Sequence, residues 1–227
     1  MGVTRPDRGL PLPLPALTDG VVALHPWRDP EDLPVVRAAT ADPAIPAGTT
    51  VPAAYTTGAG RDWIARQHAR RLAGTGLVLA VTDLSDPGGK PRCVGMVGLT
   101  GVDVRAASCE LGYWVLPAAR GRGLSGRSAA LLVDWAFRTL PLVRIGARIA
   151  VDNVASQRSA ERAGLHREGV SRASFRVGHA WVDMAIYAVI RPGTPRVTWA
   201  ELQSRTGPSP DPPDPSGSRR SDTELMQ

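Results

Sequence analysis

The sequence predicts an α+β domain of the mixed α/β kind, in which a mixed, mostly antiparallel sheet of about seven strands is flanked by about four helices. Three observations predict this class. Apolar runs of strand character recur along the chain, and three successive runs are joined by short turns, as in an antiparallel meander. Other stretches carry apolar residues at helical spacing. In the second half helices alternate with strands, which places helices on the faces of the sheet.

The first half of the chain predicts one strand, two helices and the meander. The run GVVALHPW (20–27) is typical of a strand, and 29–42 is typical of a helix capped by Asp29 with Pro30 in its first position. A loop rich in Pro, Gly and Thr (43–60) precedes a second helix at 61–74. A loop of this length is often a binding lid, and a floppy insertion is the alternative. The meander strands are expected at 77–83, 93–103 and 108–115.

The second half predicts alternating elements and a closing hairpin. Apolar residues at helical spacing indicate a helix over 124–139, followed by a strand at 143–152 and a helix at 154–164 that Gly164 stops. Strands at 166–177 and 180–190 form a hairpin around Gly178 and His179. A short helix is expected at 197–205, with Thr198 as its cap and Glu201 three residues later.

Length and composition indicate one folded domain with tails at both ends. A chain of 227 residues with 43% hydrophobic residues can bury a sizeable core. Residues 1–16 are rich in proline and predict a flexible tail, and the folded domain is expected at 17–192. Residues 193–227 form a C-terminal extension, which is expected to be disordered from about 207 because it has almost no apolar residues there.

The net charge of +6 comes from scattered arginines, since Lys90 is the only lysine. Coding bias in a GC-rich genome and a nucleic-acid-binding surface are both open explanations. No basic cluster is interleaved with aromatic residues, so we expect no specific nucleic-acid partner. Cys93 and Cys109 lie in apolar runs without metal-ligand spacing, which predicts buried, reduced thiols and no metal site. The sequence lacks a membrane-spanning window and a signal peptide, which predicts a cytoplasmic protein.

The most informative stretch is 110–128, ELGYWVLPAARGRGLSGRS, where a strand leads into a helix through a turn of Arg and Gly. Free N–H groups and the helix dipole favour an anion there, usually a phosphate. A P-loop needs Lys and then Ser or Thr after its last glycine, but Arg127 follows Gly126.

A second phosphate-binding pattern also competes for the turn. Gly121, Gly123 and Gly126 satisfy the dinucleotide fingerprint, and Asp152 lies downstream. However, residues 117–120 separate the strand from the first glycine, and the preceding strands form a meander instead of parallel repeats. This context argues against a dinucleotide site.

A third pattern fits residue by residue. The turn resembles motif A of the GNAT superfamily of acyl-CoA-dependent N-acetyltransferases, with Arg120, Gly123 and Ser125 in its three defining places. Ser125 stands where the family has Gly or Ala, a mild departure in size. The segment 152–165, DNVASQRSAERAGL, resembles motif B, and 110–115 resembles the strand that splays to admit the pantetheine arm. The resemblance covers about 20 to 190 and is strongest to the Rim-type ribosomal-protein N-acetyltransferases, which carry Asn, two residues, then Ser in motif B.

The resemblance implies a GNAT-like fold and acetyl-CoA as cosubstrate, bound without a metal. Backbone N–H groups of 122–126 would hold the CoA pyrophosphate, arginine side chains of the turn would meet phosphate oxygens, and the end of the strand would pair with the pantetheine amides. The implied cofactor-binding residues are Trp114, Val115, Arg120, Gly121, Arg122, Gly123, Leu124, Ser125, Gly126, Arg127 and Asn153.

Two residues resemble the family's catalytic groups. Glu110 resembles the acidic residue that many members use as a general base, and the alternative is a strand carboxylate paired with an arginine. Asp183 and His179 are weaker candidates. Ala160 stands where many members have a tyrosine acid, so Ser156 takes that role as an acid or a water-positioning group. A helix cap is the alternative for Ser156.

The function implied is transfer of an acetyl group from acetyl-CoA to a primary amine, namely a protein N-terminal α-amine. A small-molecule amine such as an antibiotic or polyamine remains an alternative acceptor, and a non-catalytic CoA-binding module remains a further alternative. We expect no membrane partner, and a monomer or a homodimer.

Overall fold

The structure, a computed structural model, describes residues 11–85 and 89–205. Residues 1–10 of the expected N-terminal tail and 206–227 of the C-terminal extension lie outside the described residues. The chain divides into one unit at Met1–Pro192 and a second at Gly193–Gln227. In the second unit, Thr198 and Glu201 form the reciprocal cap that the sequence predicts for the last helix: the Glu201 N–H donates to Thr198 Oγ1 (3.2 Å) and the Thr198 N–H donates to Glu201 Oε2 (2.7 Å).

Eight strands form one sheet in the first unit. They are β1 Leu17–Thr18, β2 Val22–Pro26, β3 Gly76–Asp83, β4 Arg92–Asp103, β5 Ser108–Val115, β6 Arg144–Ala150, β7 His166–Val177 and β8 Ala180–Ile190. Their order is β1-β2-β3-β4-β5-β6-β8-β7, and the parallel neighbours are β5 and β6. The mixed, mostly antiparallel sheet and its meander are confirmed. The prediction of about seven strands missed β1, whose two residues are too few to show a pattern.

Six α-helices are described, and four of them are substantial. They are α1 Leu33–Thr40, α2 Ala44–Gly48, α3 Thr57–Leu72, α4 Leu124–Thr139, α5 Val154–Arg162 and, in the second unit, α6 Trp199–Arg205. A 3-10 turn at Pro117–Ala119 separates β5 from the glycine-rich turn. None of the helices in the described ranges has the length and hydropathy needed to cross a membrane.

Two helix starts differ from the prediction. Helix α1 begins at Leu33 and not after Asp29, because the buried Asp32 carboxylate accepts the Arg28 N–H (2.8 Å) and holds the preceding residues in a turn. The predicted loop 43–60 contains α2 and the first turn of α3, which Thr56 caps by accepting the Ala59 N–H (3.0 Å). Composition assigned these residues to a loop because Gly and Thr are poor helix formers, but the cap outweighs that preference.

Helices cover both faces of the sheet. Strand β3 is buried at all of its positions, and its side chains alternate between two apolar clusters. Leu77, Leu79 and Val81 join a cluster with α4 and α5, and we call that side the α4–α5 face. Val78 and Ala80 join a cluster with α1, α2 and α3 on the opposite side, which we call the α2–α3 face.

Tryptophans fill the cluster on the α2–α3 face. The Trp27 and Trp63 rings meet edge to face with centroids 4.8 Å apart, and the Trp114 ring lies 6.2 Å from Trp27. Trp114 belongs to β5, so this packing fixes one face of the strand that the sequence analysis singled out.

Residues 11–16 depart from the flexible tail expected at 1–16. Leu12 is buried in the core; its N–H donates to the Arg71 carbonyl (3.0 Å) and its own carbonyl accepts from Arg71 Nη1 (2.9 Å). Proline content alone could not show this anchor, because it depends on a partner 59 residues away.

Candidate active site

Strands β5 and β6 separate immediately after Glu110. Their parallel pairing joins Ser108 to Arg144, Cys109 to Ile145 and Glu110 to Gly146, and ends there. Strand β5 nevertheless stays paired with β4 as far as Val115. The sheet therefore opens into a gap between β5 and β6, as expected for the splaying strand.

The β5 backbone offers unpaired groups to this gap. The Leu116 N–H donates to the Val94 carbonyl (2.8 Å), so the groups of alternate residues on β5 point towards β4. The N–H and C=O groups of Tyr113 and the N–H group of Val115 consequently point away from β4 and into the gap, while the Val115 carbonyl accepts from Arg120 Nε (3.3 Å). An extended ligand can pair with such an edge as an additional strand.

A cleft of about 980 Å³ passes through the gap, and its walls belong to both faces of the sheet. Most of the predicted site residues line it: Glu110, Trp114, Val115, Arg120, Gly121, Gly123, Ser125, Asn153 and Ser156. Arg122, Leu124, Gly126 and Arg127 do not line this cleft. The volume suits a cofactor-sized ligand.

The glycine-rich turn presents a row of backbone donors. Gly121 (φ +78°) and Gly123 (φ +73°) adopt left-handed conformations, which favour glycine. The Arg127 N–H donates to the Gly123 carbonyl (3.1 Å), but among the described residues the structure records no acceptor for the backbone N–H groups of 121–126. Together with the positive end of the α4 dipole, these donors form an anion site.

The arginines of this turn are placed differently from the expectation. Arg120 pairs with Asp42, Arg122 Nη1 lies 2.5 Å from Asp83 Oδ2, and Arg127 Nη1 lies 2.8 Å from Asp19 Oδ2. Burial pushes the pKa of Asp83 upward, but hydrogen bonds from Ser85 and Arg122 outweigh it and hold that pKa below its usual value.

These pairings correct the expectation that all three side chains are free to meet phosphate oxygens. Arg122 and Arg127 tie the turn to the sheet, because their carboxylate partners lie at the end of β3 and before β2. A motif of local residues could not reveal partners that are 39 and 108 residues distant.

Arg162 is a residue that the sequence analysis missed. It ends α5, and its Nη1 lies 2.5 Å from the position that a Cβ on Gly123 would occupy. Its Cβ and Cδ lie 3.1 and 3.2 Å from the corresponding position on Gly126. The two glycines thus leave room for the Arg162 side chain over the first turn of α4. Within the described ranges no carboxylate pairs with Arg162, and the residue lines the cleft beside the glycine-rich turn.

Glu110 occupies the last position of β5 that is paired with β6, level with Gly146. Its carboxylate fits against Gly146, since a Cβ there would lie 2.8 Å from Glu110 Oε1. Burial raises the pKa of Glu110, and the positive charges of Arg148 and Arg144 offset part of this rise. The side chain keeps solvent contact through the cleft.

The arginine-paired alternative for Glu110 is not found in the described part of the chain, where no ion pair involves its carboxylate. Arg144 instead donates to both carboxylate oxygens of Glu168 (2.8 and 2.5 Å). Asp183 accepts the Ala173 N–H (2.7 Å) and does not line the cleft, and His179 is an exposed turn residue. Glu110 is therefore the carboxylate that faces the cleft.

Ser156 and Tyr113 form a hydroxyl pair on the α4–α5 face. Asn153 caps α5 by accepting the Ser156 N–H (3.1 Å), so the interpretation of Ser156 as the cap is wrong. Ser156 Oγ donates to Tyr113 Oη (3.3 Å), and Tyr113 Oη donates to the Ser156 carbonyl (2.7 Å). Burial raises the pKa of Tyr113 to about 12. Tyr113 was not predicted as a site residue, because no local pattern distinguishes it from the other residues of β5.

Cys93 belongs to a cluster of metal-ligand types outside the cleft, together with His25 and Asp32. His25 Nδ1 lies 2.9 Å from the Pro26 carbonyl and Nε2 lies 2.9 Å from Thr82 Oγ1, so both ring nitrogens are in hydrogen bonds. Asp32 accepts the Arg28 N–H, and burial raises the pKa of Cys93 to about 12. These contacts account for the cluster as packing of β2 and β4 against the start of α1. Cys93 and Cys109 are both free thiols; Cys109 is buried, as predicted, whereas Cys93 is only partly buried.

Known proteins share this architecture. The family model of the acetyltransferase (GNAT) domain matches residues 22–166, which is more than half of the chain. The probable N-acetyltransferase YjcK of Bacillus subtilis is 34% identical over 103 residues, covering 44% of this chain and 56% of that protein. The chain spans about half the length of the curated relatives it matches.

Two solved structures illustrate the likeness in fold. RimL, a ribosomal alpha-N-protein acetyltransferase in complex with coenzyme A, has a TM-score of 0.64 at 17% identity, covering 78% of this chain and 97% of that chain. Spermidine N-acetyltransferase from Vibrio cholerae, in complex with CoA and spermine, has a TM-score of 0.64 at 16% identity, covering 76% and 97%. At these identities the likeness shows the fold alone.

Proposed function

The chain belongs to the acetyltransferase (GNAT) domain family, and from this premise we propose that it transfers an acetyl group from acetyl-CoA to a primary amine, a protein N-terminal α-amine. One observation carries the proposal. The row of free N–H groups lies on the α4–α5 face, the Glu110 carboxylate lies at the end of the β5–β6 pairing, and a gap with unpaired β5 backbone connects them. A long phosphorylated thioester and an amine can meet in such a gap from opposite faces.

The α4–α5 side of the cleft fits CoA. At the first turn of α4 the N–H groups of 121–126 would bind the pyrophosphate, and Arg162, which packs against Gly123 and Gly126, would add a charge-assisted contact. The outward N–H and C=O groups of Tyr113 and the N–H group of Val115 would pair with the amides of the pantetheine arm, next to Asn153. Acetyl-CoA itself would supply the thioester whose carbonyl carbon the amine attacks.

The carboxylate of Glu110 would accept the proton of the incoming amine. A peptide α-amine has a pKa of about 8, so most of it is ammonium at neutral pH and has no lone pair to donate. A positioned base removes that proton, and general bases typically contribute about 10²- to 10⁴-fold. The raised pKa of Glu110 makes its carboxylate a better base than an exposed glutamate.

The Tyr113 and Ser156 hydroxyls would serve the leaving group. They line the cleft on the side of the pantetheine edge. Because the pKa of Tyr113 is about 12, its phenol stays protonated at working pH and acts as a hydrogen-bond donor, not as a base. We assign it to hold Ser156 in place, so that the serine hydroxyl or a water bound to it can meet the departing thiolate.

Two measurements test the proposed function. Acetyl-CoA should raise the melting temperature, because a ligand that binds the folded state stabilises it. Thiol release from acetyl-CoA is then followed with a panel of peptides and small amines. An unchanged melting temperature would overturn the cofactor assignment. Stabilisation without thiol release for any amine would favour the CoA-binding module instead.

Glu110→Gln should lower kcat/KM by about 10²- to 10⁴-fold at about pH 6.5, and the deficit should shrink towards pH 9 as the free amine becomes available. Wild-type activity should fall as the pH drops through the raised pKa of Glu110, because a protonated carboxyl cannot accept a proton. This loss should begin at a higher pH than the ordinary glutamate value of about 4.3. Identical pH profiles for both proteins would remove Glu110 from the role of base.

A further inference from the structure

We propose that the acceptor carries an acidic group beside its amine, as in an N-terminal peptide with an acidic second residue, and that Arg148 binds this group. The inference rests on the proposed function and deepens it, since it names the chemistry of the acceptor. Four observations carry it: the charge of the cleft, the face on which Arg148 lies, its distance along β6 from the Glu110 position, and the contrast with Arg144.

The charges that line the cleft, within the described residues, are strongly unbalanced. They are the carboxylate of Glu110 and the guanidinium groups of Arg70, Arg120, Arg148, Arg158 and Arg162. A single carboxylate can neutralise one ammonium group. A polyamine would bring several ammonium groups into a cleft of arginines, where like charges repel. The cleft instead suits an acceptor with one amine and a negative charge nearby.

The arginines divide between the two ends of the cleft. Arg158 and Arg162 lie on α5, on the side assigned to the CoA phosphates, and Arg120 is paired with Asp42. Arg148 lies on β6. Because Gly146 is level with Glu110 and every second residue of a strand shares a face, Arg148 lies on the same face as Glu110. Arg148 is thus on the side where the amine is deprotonated.

The distance along β6 from Gly146 to Arg148 also matches the reach of one extended peptide residue plus its acidic side chain. It is two residues beyond Gly146, which is roughly 6–7 Å along a strand. An α-amine at Glu110 places the second residue of an extended peptide roughly 3.3 Å further on, and its acidic side chain covers the remaining distance. Arg70, on α3, adds positive charge to the opposite wall of the cleft.

Two arginines flank Gly146 on this face of β6, and their surroundings differ. Arg144 binds both carboxylate oxygens of Glu168. Arg148 is exposed and lines the cleft. Among the described residues no carboxylate lies within ion-pair distance of it, although its charge attracts the more distant charge of Glu110. A planar guanidinium in this setting can bind an incoming carboxylate in a bidentate manner.

The experiment compares three peptides that differ only in the second residue and begin Ser-Glu, Ser-Gln and Ser-Lys. For the wild-type enzyme kcat/KM should be roughly 10- to 100-fold higher for Ser-Glu than for Ser-Gln, and lowest for Ser-Lys. Arg148→Gln should abolish the preference for Ser-Glu, so that kcat/KM for Ser-Glu falls to about the value that the same variant gives with Ser-Gln. Arg148→Lys should retain part of the preference, because it keeps the charge but loses the bidentate geometry.

Two controls isolate the effect. The three peptides are compared within each variant, so any influence of Arg148 on the pKa of Glu110 is common to all three and cancels in their ratios. Arg138→Gln removes an equal charge from the exposed surface of α4, where Arg138 pairs with Asp134, and should leave all three kcat/KM values unchanged.

The outcomes separate the two proposals. Equal kcat/KM for the three peptides in the wild type, or a wild-type preference that persists in Arg148→Gln, would overturn the acceptor inference while acetyl transfer stands. A higher kcat/KM for spermidine than for Ser-Glu would also overturn it. If no peptide or amine releases thiol with the wild type, the proposed function fails and the acceptor inference fails with it. Turnover of the neutral Ser-Gln peptide tells these failures apart.

Discussion

Replacing Gly146 by alanine tests whether the observed position of Glu110 is its working position. The new Cβ would lie 2.8 Å from Glu110 Oε1 and 3.3 Å from its Cδ, and the three nearest atoms all belong to that side chain. Ordinary van der Waals contact begins at about 3.4 Å, so the carboxylate must move by at least about 0.6 Å. The end of a flexible side chain beside an open cleft can make this movement without disturbing the sheet.

We expect a large effect on the reaction and a small effect on stability. A misplacement of about 1 Å in a catalytic group can cost about 10²-fold, so the smaller displacement here should lower kcat/KM by roughly 10- to 100-fold. This corresponds to about 1.4–2.7 kcal/mol of transition-state stabilisation. The melting temperature should stay within a few degrees of the wild type, because the clash is relieved by the side chain alone.

The assay is thiol release from acetyl-CoA with an N-terminal peptide, together with thermal melting and the Kd for CoA. Gly169→Ala is the matched control, since Gly169 is also a strand glycine and an added Cβ would meet nothing within 4 Å. The double variant Glu110→Gln with Gly146→Ala should be no slower than Glu110→Gln alone, because both changes act through one carboxylate.

The result that refutes the reasoning is wild-type kcat/KM in Gly146→Ala with an unchanged fold. It would mean that the carboxylate can move by more than half an ångström without consequence, and hence that Glu110 does not act from this position. A slower double variant than Glu110→Gln would show instead that the alanine blocks the cleft.

Two further predictions concern the α4–α5 face. Arg162→Gln should raise the Kd for CoA and for dephospho-CoA alike, by roughly 10- to 100-fold, because the lost contact is with the pyrophosphate that both share; equilibrium binding measures this, and an unchanged Kd would contradict it. Arg138→Gln again serves as the surface control. Tyr113→Phe and Ser156→Ala should each lower kcat by roughly 5- to 30-fold with little change in the Kd for CoA, and the double variant should be no worse than the slower single one, because the two hydroxyls act as a unit. Additive losses in steady-state kinetics would show that the two hydroxyls act separately.

The sequence predicts elements well where local signals agree. The bounds of β5, α4, β7 and β8 match the predicted ranges, because each is delimited by Gly, Pro or turn residues. The start of α1 was missed because Asp29 with Pro30 is as good a local cap signal as Asp32 with Pro34. The helix starts after Asp32 because its carboxylate accepts a hydrogen bond from the Arg28 N–H, and only the folded chain forms this bond.

The residues of the site likewise divide into those that local patterns predict and those that only the folded chain brings together. Glu110, Ser156 and the glycines of the turn could be named from short patterns. Their partners could not, since the Arg162 side chain over Gly123, the Arg122 pair with Asp83 and the Tyr113 pair with Ser156 each join distant segments. Sequence reasoning counted three arginines on the turn as phosphate ligands. The structure gives those three carboxylate partners and leaves the anion site to an arginine from another helix.

The pairing of Glu110 with Gly146 links the separate parts of the site. It is the last parallel pair between β5 and β6, so it sets where the gap begins. The missing side chain of Gly146 sets where the Glu110 carboxylate lies, and the strand period then places Arg148 on the same face, two residues further into the gap. A shift of β6 by one residue against β5 would move Arg148 to the opposite face and put a side chain against Glu110. The proposed base, the gap proposed to admit CoA and the arginine proposed to select the acceptor therefore depend on one register, which explains why a single methyl group at Gly146 is expected to affect catalysis far more than stability.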